Sequence, residues 1–220
     1  MKKIYWLILI LFICVEKSPC QITRFGMFFN TGVSWLTSDN PGISSGSKQP
    51  DFNFGIIADK YFAPNYIFSY GIGIHSLEGA LTYHNSTTFS SDGTQYVLSP
   101  NTQVNYSLEY LHFPLDMKFR TVQINKITYY AQMGLDPMLN VKSNANFSTN
   151  QQTYSNVGMD TNTSFMYLGY DISVGLEYKI IANTAFMVGF EYMNGFSNII
   201  SQGAGNTTLN CLEIRLGMFF

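Results

Sequence analysis

Three histidines are among the residues of this chain that could do chemistry. His75 and His112 fall on neighbouring strand-like stretches, at similar distances from the tight turns that join the strands, so their side chains could face each other. Zinc sites use three or four protein ligands, and the sequence offers no clear third one here. We therefore predict no metal site and no cofactor, and keep the histidine pair as an open alternative.

The third histidine lies in a polar segment whose residue types occur in acyl-transfer enzymes. The residues that follow His84 include Ser86, Ser90, Ser91 and Asp92. A histidine held by a carboxylate can activate a serine hydroxyl as a nucleophile, but Ser and Asp are also ordinary loop residues. We therefore predict no catalytic residues and no enzyme. A lipid or peptide hydrolase or acyltransferase remains as an alternative.

Many of the charged residues fall on the less apolar face of alternating stretches. Charged residues enclosed on such a face must be paired, so we predict salt bridges between strands. The face carries Asp59, Glu109, Asp116, Asp136, Asp171, Glu177, Glu191 and Glu213 with Lys118, Arg120, Lys179 and Arg215. The predicted polar network consists of Asp116, Lys118, Asp171, Glu177, Lys179, Glu191, Glu213 and Arg215. Its acidic excess leaves cation binding or proton relay as alternatives.

The elements that position these residues are β-strands. Residues 212–220 alternate strictly, with bulky apolar side chains on one face and Glu213, Arg215 and Gly217 on the other. A period of two is the pattern of a strand whose faces meet different surroundings. Seven further stretches of this kind precede it, at about 24–36, 52–61, 66–82, 104–120, 127–141, 164–180 and 184–194.

The connections between these stretches alternate between long and short. Long segments rich in Ser, Asn, Thr and Gly occupy 37–51, 83–103, 142–163 and 195–206, and tight turns occupy 62–65, 121–126 and 181–183. Outer-membrane barrels have long extracellular loops and short periplasmic turns. The pattern predicts an all-β fold, an eight-stranded antiparallel up-and-down transmembrane β-barrel with both termini in the periplasm.

Composition supports this prediction. Charged residues make up 12% of the 220-residue chain and aromatic residues 16%, and the net charge is −2. Low charge and many rings suit a lipid-facing barrel, whereas a soluble ligand-binding barrel would turn its apolar face inward. The Gly- and Ser-rich polar face suits a narrow, crowded interior. The charge gives no reason to expect a nucleic-acid partner.

The N-terminus has the pattern of a secretory signal. A basic start at Lys2 and Lys3 precedes an apolar run over 4–15, which is too short to span a membrane. We predict a cleaved signal peptide over 1–20 and a barrel domain over 21–220. Cys14 and Cys20 would leave with the signal, so Cys211 would remain as a small buried side chain.

One stretch carries a motif. Residues 110–119 read YLHFPLDMKF, and this resembles the Tyr-Leu-x-x-Pro-Leu-x-x-Lys signature of PorT-like outer-membrane β-barrels of Bacteroidetes. Further matching pieces are Gly134, the Asp171-x-x-x-Gly175-x-Glu177-Tyr178 run and the Leu216-Gly217-x-Phe219 ending. The resemblance implies an outer-membrane barrel, and a part in type IX protein secretion as an alternative role.

Two prolines interrupt the predicted strands. Pro114 and Pro137 lack the N–H that a strand donates to its neighbour, so we expect each to bend the barrel wall. The alternation also shifts at Tyr110–Leu111, which predicts a bulge there.

The sequence therefore predicts a non-enzymatic outer-membrane barrel with a plugged lumen, because an eight-stranded barrel is just wide enough to be filled by its own side chains. Diffusive porin activity is disfavoured for the same reason. The expected role is structural, or the binding of a partner through the extracellular loops. An accessory part in type IX secretion or envelope assembly is the alternative. The expected partners are outer-membrane lipid, the barrel-assembly machinery, which would recognise Phe220, and a periplasmic or membrane protein.

Overall fold

The computed structural model describes residues 23–91, 94–149, 152–159, 162–181, 184–200 and 204–220. The predicted signal peptide lies outside these residues. The described chain forms strands β1 (Thr23–Ser38), β2 (Ile43–Ser45), β3 (Gln49–Ala63), β4 (Tyr66–Tyr83), β5 (Thr87–Ser91), β6 (Thr94–Leu98), β7 (Thr102–His112), β8 (Leu115–Arg120), β9 (Ile127–Ser148), β10 (Thr153–Gly158), β11 (Met166–Ile181), β12 (Thr184–Gly195) and β13 (Thr207–Phe219). No helix among these residues has the length and apolar character needed to cross a membrane.

Eight strand positions close into a ring. The order around it is β1, β3, β4, β7 together with β8, β9, β11, β12 and β13, and every neighbouring pair is antiparallel. The last strand pairs with the first from Gly26 opposite Phe219 to Ser38 opposite Thr207. The closure leaves no open edge between first and last strands, and the predicted eight-stranded up-and-down barrel is confirmed.

The motif stretch forms two strands with a break between them. β7 ends at His112 and β8 begins at Leu115, so the stretch predicted as one strand over 104–120 is divided at Phe113 and Pro114, where Pro114 was expected to bend the wall. The backbone groups there still have partners, because Phe113 N–H donates to Pro137 O at 2.9 Å and Gly71 N–H donates to Pro114 O at 3.1 Å. The two prolines therefore lie beside each other on neighbouring strands of the wall.

The bulge beside this break lies on β9 rather than on the motif strand. Glu109 pairs with Lys142 and Tyr110 pairs with Asn140, so β9 has one extra residue, Val141, at this point. The alternation of β7 continues unchanged, and Glu109 is half-buried on the outward face. The prediction that Glu109 faces inward was therefore wrong. The extra residue that changes the alternation lies on β9 and not on the strand of Glu109.

The barrel has two different ends, which we call the long-loop end and the short-turn end. The predicted long segments are partly strands, since β2, the β5–β6 hairpin and β10 fall within or beside them. β9 also continues to Ser148, beyond its predicted end at 141. These connections are therefore structured at the long-loop end, where β2 and β10 pair with wall strands and β5 and β6 pair with each other.

Side chains alternate between outside and inside along each wall strand. On β13, Leu212, Ile214 and Met218 are exposed outward as predicted, while Cys211, Glu213 and Arg215 are buried inside. Exposed apolar side chains from the other wall strands continue this outer surface around the ring, including Phe29, Ile56, Ile72, Met117, Met133, Val174 and Phe190.

The inside of the long-loop end is apolar. A large cluster of buried hydrophobic side chains fills it, which we call the apical core: Leu36, Leu77, Leu81, Tyr83, Val104, Tyr106, Leu108, Tyr110, Met138, Phe147, Tyr167, Met193, Leu209 and their neighbours. Within it the hydroxyls of Tyr83 and Tyr106 are 2.7 Å apart. The rings of Tyr83 and Tyr106 lie on the long-loop side of the exposed apolar surface. Burial raises the pKa of both phenols above the usual value.

Candidate functional site in the barrel interior

A network of charged side chains fills the interior near the short-turn end. Lys118 Nζ lies 2.7 Å from Glu177 and 3.0 Å from Asp59. Arg24 Nη2 contacts the same two carboxylates, at 2.9 Å and 3.2 Å, and Arg120 lies 3.1 Å from Glu177. All five side chains are buried or nearly so. We call this the basal network, and its two carboxylates are shared by three cations.

Phe219 completes the basal network from the last strand. Its ring lies 4.3 Å from the Arg24 guanidinium and 4.6 Å from Lys118 Nζ. Cations over an aromatic face are attracted by the ring quadrupole. The strand that closes the barrel therefore contacts the network through an inward-facing aromatic side chain.

A second group of polar side chains lies further along the strands. Arg215 forms an ion pair with Glu191, and Asn30 Nδ2 donates to Glu191 at 3.3 Å and to Glu213 at 3.4 Å. These residues come from β1, β12 and β13, so the group joins the strands on both sides of the closure.

Two further carboxylates lie in the same region. Gln132 Nε2 donates to Asp116 at 2.7 Å. Asp116 and Asp171 lie opposite the same residue, Gly134, from the strands on either side of it. A Cβ at Gly134 would approach Asp116 Cα to 2.9 Å, so the glycine leaves room for these side chains. Both carboxylates are buried.

A third group contains the two histidines and borders the apical core. His75 Nε2 lies 2.8 Å from Asp51 Oδ1, and His112 Nδ1 lies 3.0 Å from Asp136 Oδ1. The two imidazole centroids are 5.6 Å apart. Cys211 belongs to the same group, because its sulfur lies within 4.8 Å of the ligand atoms of Asp51 and His75. We call these five residues the histidine cluster.

Most residues of the predicted polar network lie in these groups. Lys118 pairs with Glu177 and Arg215 with Glu191, and Glu213, Asp116 and Asp171 are buried beside them. Lys179 differs, since it is exposed at the short-turn end, where it lines an open depression beside Arg24 and Arg120. At that point the inward-facing side of β11 is open to water. Phe220 is exposed beyond the end of β13, and its N–H donates to Phe25 O at 2.9 Å.

Sequence reasoning missed two important members. Asp51 falls at the end of a segment predicted as a loop. In the structure β3 already begins at Gln49, and the Asp51 side chain points inward. Arg24 has the same parity as Asn30 on β1, so the alternation was a usable signal for it. Cys211 also has the inward parity of Glu213, but parity alone does not tell which side chains lie at the same depth.

His84 lies outside the barrel interior, exposed at the long-loop end. Its Nε2 lies 3.0 Å from Ser44 Oγ and its Nδ1 lies 3.0 Å from Asn101 Oδ1. Ser86 Oγ donates instead to Leu98 O at 3.0 Å, and Ser91 Oγ to Gly158 O. Asp92 lies outside the described residues. The structure therefore groups His84 with Ser44 and Asn101 rather than with the serines that follow it in sequence.

Comparison with known families decides what this barrel is. The family model described as "outer membrane protein beta-barrel domain" matches residues 19–201. The chain belongs to this family. As an outer membrane protein beta-barrel, it is located in the outer membrane, and the exposed apolar surface of its wall faces lipid. The family model does not distinguish the PorT-like group within it.

Three solved structures resemble this chain at low sequence identity. Neisserial surface protein A is 11% identical, with a TM-score of 0.48, over 89% of this chain and 97% of that one. Ail, the attachment invasion locus protein of Yersinia pestis, is 12% identical with a TM-score of 0.43, over 90% and 97%. OprG from Pseudomonas aeruginosa is 14% identical with a TM-score of 0.44, over 91% and 95%. Comparison with curated proteins gives no significant match.

Proposed function

We propose that this protein is a closed outer-membrane barrel that does not conduct solutes and that acts as a scaffold, presenting a structured surface at the long-loop end to a partner. The observation that carries the proposal is the filling of the interior. The basal network, with Lys118 between Asp59 and Glu177, occupies the interior near the short-turn end. The apical core occupies the other end.

The basal network opposes a water-filled channel for an electrostatic reason. Lys118, Asp59 and Glu177 have side chains that are 0–1% exposed, so they are not hydrated from a pore. Buried ions are stable only when they are paired, and the pairs here join β3, β8 and β11. Opening a pore would require breaking several of these contacts together.

The long-loop end supports the scaffold role. β10 extends the wall by pairing with β9, and the β5–β6 hairpin forms a separate two-stranded sheet beside it, where Ser91 Oγ donates to Gly158 O of β10. Loops positioned by a rigid scaffold are where binding surfaces commonly lie. The partner that we propose for this surface is a protein, and outer-membrane lipid surrounds the wall.

The same asymmetry supports an orientation for the barrel. We propose that the long-loop end faces the cell exterior and that both termini are periplasmic, as in other barrels of this architecture. Residues 1–20 would then be a cleaved signal, and Phe220 at the exposed chain end would be available to the barrel-assembly machinery.

A part in type IX protein secretion is the second candidate, and the PorT-like motif supports it. The motif residues Pro114 and Lys118 have clear structural positions, in the strand break and in the basal network. Deleting the gene and measuring the surface display of secreted cargo tests this role. Reduced display, restored by the wild-type gene, is expected if the barrel serves secretion, and unchanged display would exclude it.

An acyl hydrolase is the third candidate, and the contacts of His84 favour it. His84 bridges Ser44 and Asn101 in the order nucleophile, base and orienting group. In that role His84 would accept the Ser44 proton as Ser44 Oγ attacks an ester and would return it to the departing alcohol, and water would then release the acyl group from Ser44. The test is ester hydrolysis by the purified protein, with Ser44→Ala and His84→Gln losing activity and Ser86→Ala retaining it. No wild-type activity above that of Ser44→Ala would exclude this candidate.

A further inference from the structure

We propose that the histidine cluster binds one divalent transition-metal ion inside the barrel, and that Zn²⁺ matches its ligands best. His75 is central, because it belongs to two overlapping sets of ligands. Asp51, His75 and Cys211 form one set, and His75, His112 and Asp136 form the other. In each set the ligand atoms lie within 4.8 Å of one another. The proposal does not depend on the role of the long-loop end.

The ligands converge from five different strands. Asp51 lies on β3, His75 on β4, His112 on β7, Asp136 on β9 and Cys211 on β13. Their side chains are buried at one depth, between the polar groups and the apical core. Room is made by Gly73, where a Cβ would collide with the His112 imidazole and lie 2.7 Å from Phe54 O.

Buried polar atoms of the cluster lack hydrogen-bond partners among the described residues. His75 uses Nε2 with Asp51 and leaves Nδ1 unsatisfied, and Asp51 Oδ2 is likewise without a partner. His112 uses Nδ1 with Asp136 and leaves Nε2 unsatisfied. Buried polar groups of native proteins are nearly always hydrogen-bonded or bound to an ion or water. The hydrogen bonds within the cluster therefore leave it incompletely satisfied, and the free oxygen of Asp51 is available to an ion.

Charge at this depth also calls for a cation. Asp51, Asp136 and Glu213 lie beside the two imidazoles, with Glu213 Oε1 3.5 Å from His75 Nε2. The guanidinium and ammonium groups of the described interior pair elsewhere, Arg215 with Glu191 and the others in the basal network. Buried carboxylates whose contacting cationic groups are imidazoles alone are poorly compensated in charge, and a divalent ion supplies the missing charge.

The ligand types select the metal. Two imidazoles, carboxylate oxygens and one thiolate form a mixed N, O and S set, which suits Zn²⁺ better than Ca²⁺ or Mg²⁺. Bonds of about 2.0–2.1 Å at a tetrahedral angle separate nitrogen and oxygen ligands by about 3.3 Å. The His75–Asp51 and His112–Asp136 distances of 2.8 Å and 3.0 Å are close to that spacing. The ion would replace the hydrogen bonds between His75 and Asp51 and between His112 and Asp136, and binding would release the protons of those two hydrogen bonds and the thiol proton of Cys211 to solvent.

The test is refolding of the purified protein with ZnCl₂, followed by exhaustive dialysis and metal analysis. We expect about one Zn²⁺ per chain in the wild type and at least a tenfold loss in His75→Gln. The matched control is His84→Gln, which removes the exposed histidine and is expected to keep the ion. A wild-type protein that holds no more Zn²⁺ than His75→Gln would overturn the proposal, as would an equal loss in His84→Gln.

A second measurement remains decisive if His75→Gln does not fold. Refolding the wild type with CoCl₂ in place of zinc should give the visible spectrum of a site with a thiolate ligand. Cys211→Ser keeps the size of the side chain and should lose the thiolate-to-cobalt band. Failure of the wild type to show any bound-cobalt spectrum would contradict the site, and an unchanged spectrum in Cys211→Ser would contradict its ligand set.

Discussion

Arg24 Nη2 lies 2.9 Å from Glu177 Oε2, although the two residues are on strands three positions apart around the ring. Glu177 also forms ion pairs with Lys118 and Arg120, so one carboxylate links β1, β8 and β11 inside the barrel. This contact is possible only when the first and last strands are paired, because that pairing brings β1 near β11. The ion pairs and the closure of the barrel therefore stabilise each other.

Replacing Glu177 with Gln should destabilise the barrel. The change leaves Arg24 and Lys118 with Asp59 and removes the carboxylate that Arg120 contacts, and removing one partner of a buried ion pair costs about 3 kcal/mol or more. We expect a loss of about 3 kcal/mol in the free energy of unfolding, measured by urea titration of the protein in lipid vesicles. Lys179→Gln is the control, since Lys179 is exposed at the same end, and it should change stability little. Equal stability of the two variants would show that the basal network is not needed for the fold.

Placing a charge on the outer surface should reveal which part of the wall faces lipid. Ile214 is 45% exposed on the outward face of β13, and an arginine at mid-membrane depth costs about 2–4 kcal/mol. We expect Ile214→Arg to lose about that much in the same unfolding measurement. Val97→Arg is the matched control, because Val97 is 60% exposed on the β5–β6 hairpin beyond the lipid-facing surface. A greater loss in Val97→Arg would contradict this placement.

Thiol labelling should reveal the orientation. Ser155 is exposed on β10 at the long-loop end and Gln123 is exposed at a short turn. In a Cys211→Ala background, Ser155→Cys should react with a membrane-impermeant maleimide added to intact cells. Gln123→Cys should react only after the outer membrane is permeabilised. The opposite pattern of reactivity would place the long-loop end in the periplasm.

The architecture was accessible from the sequence because it depends on local alternation. The period of two in residues 212–220 predicted the correct faces of β13, and Pro114, expected to bend the wall, lies where the motif stretch is divided into two strands. Glu109 was misplaced because one extra residue on β9 moves the face change to the neighbouring strand. Face changes of this kind depend on pairing between strands, which a single stretch of sequence does not encode.

The site was accessible only in part for a related reason. Alternation identified Lys118, Glu177, Glu191 and Arg215 as inward-facing, but which of them meet depends on how the strands are staggered around the ring. That stagger brings Asp51 and Cys211 to the depth of His75, although they are far apart in sequence. His112 and Asp136 meet in the same way, across the wall position where β7 pairs with β9.

The central claim is that the interior is closed, and planar-bilayer recording of the purified protein tests it most directly. With Lys118, Asp59 and Glu177 paired and the apical core in place, we expect no stable conductance steps at moderate voltage. Glu177→Gln, which weakens the basal network, provides the comparison. Its current should fluctuate more than that of the wild type. A large, stable conductance in the wild-type barrel would contradict the account.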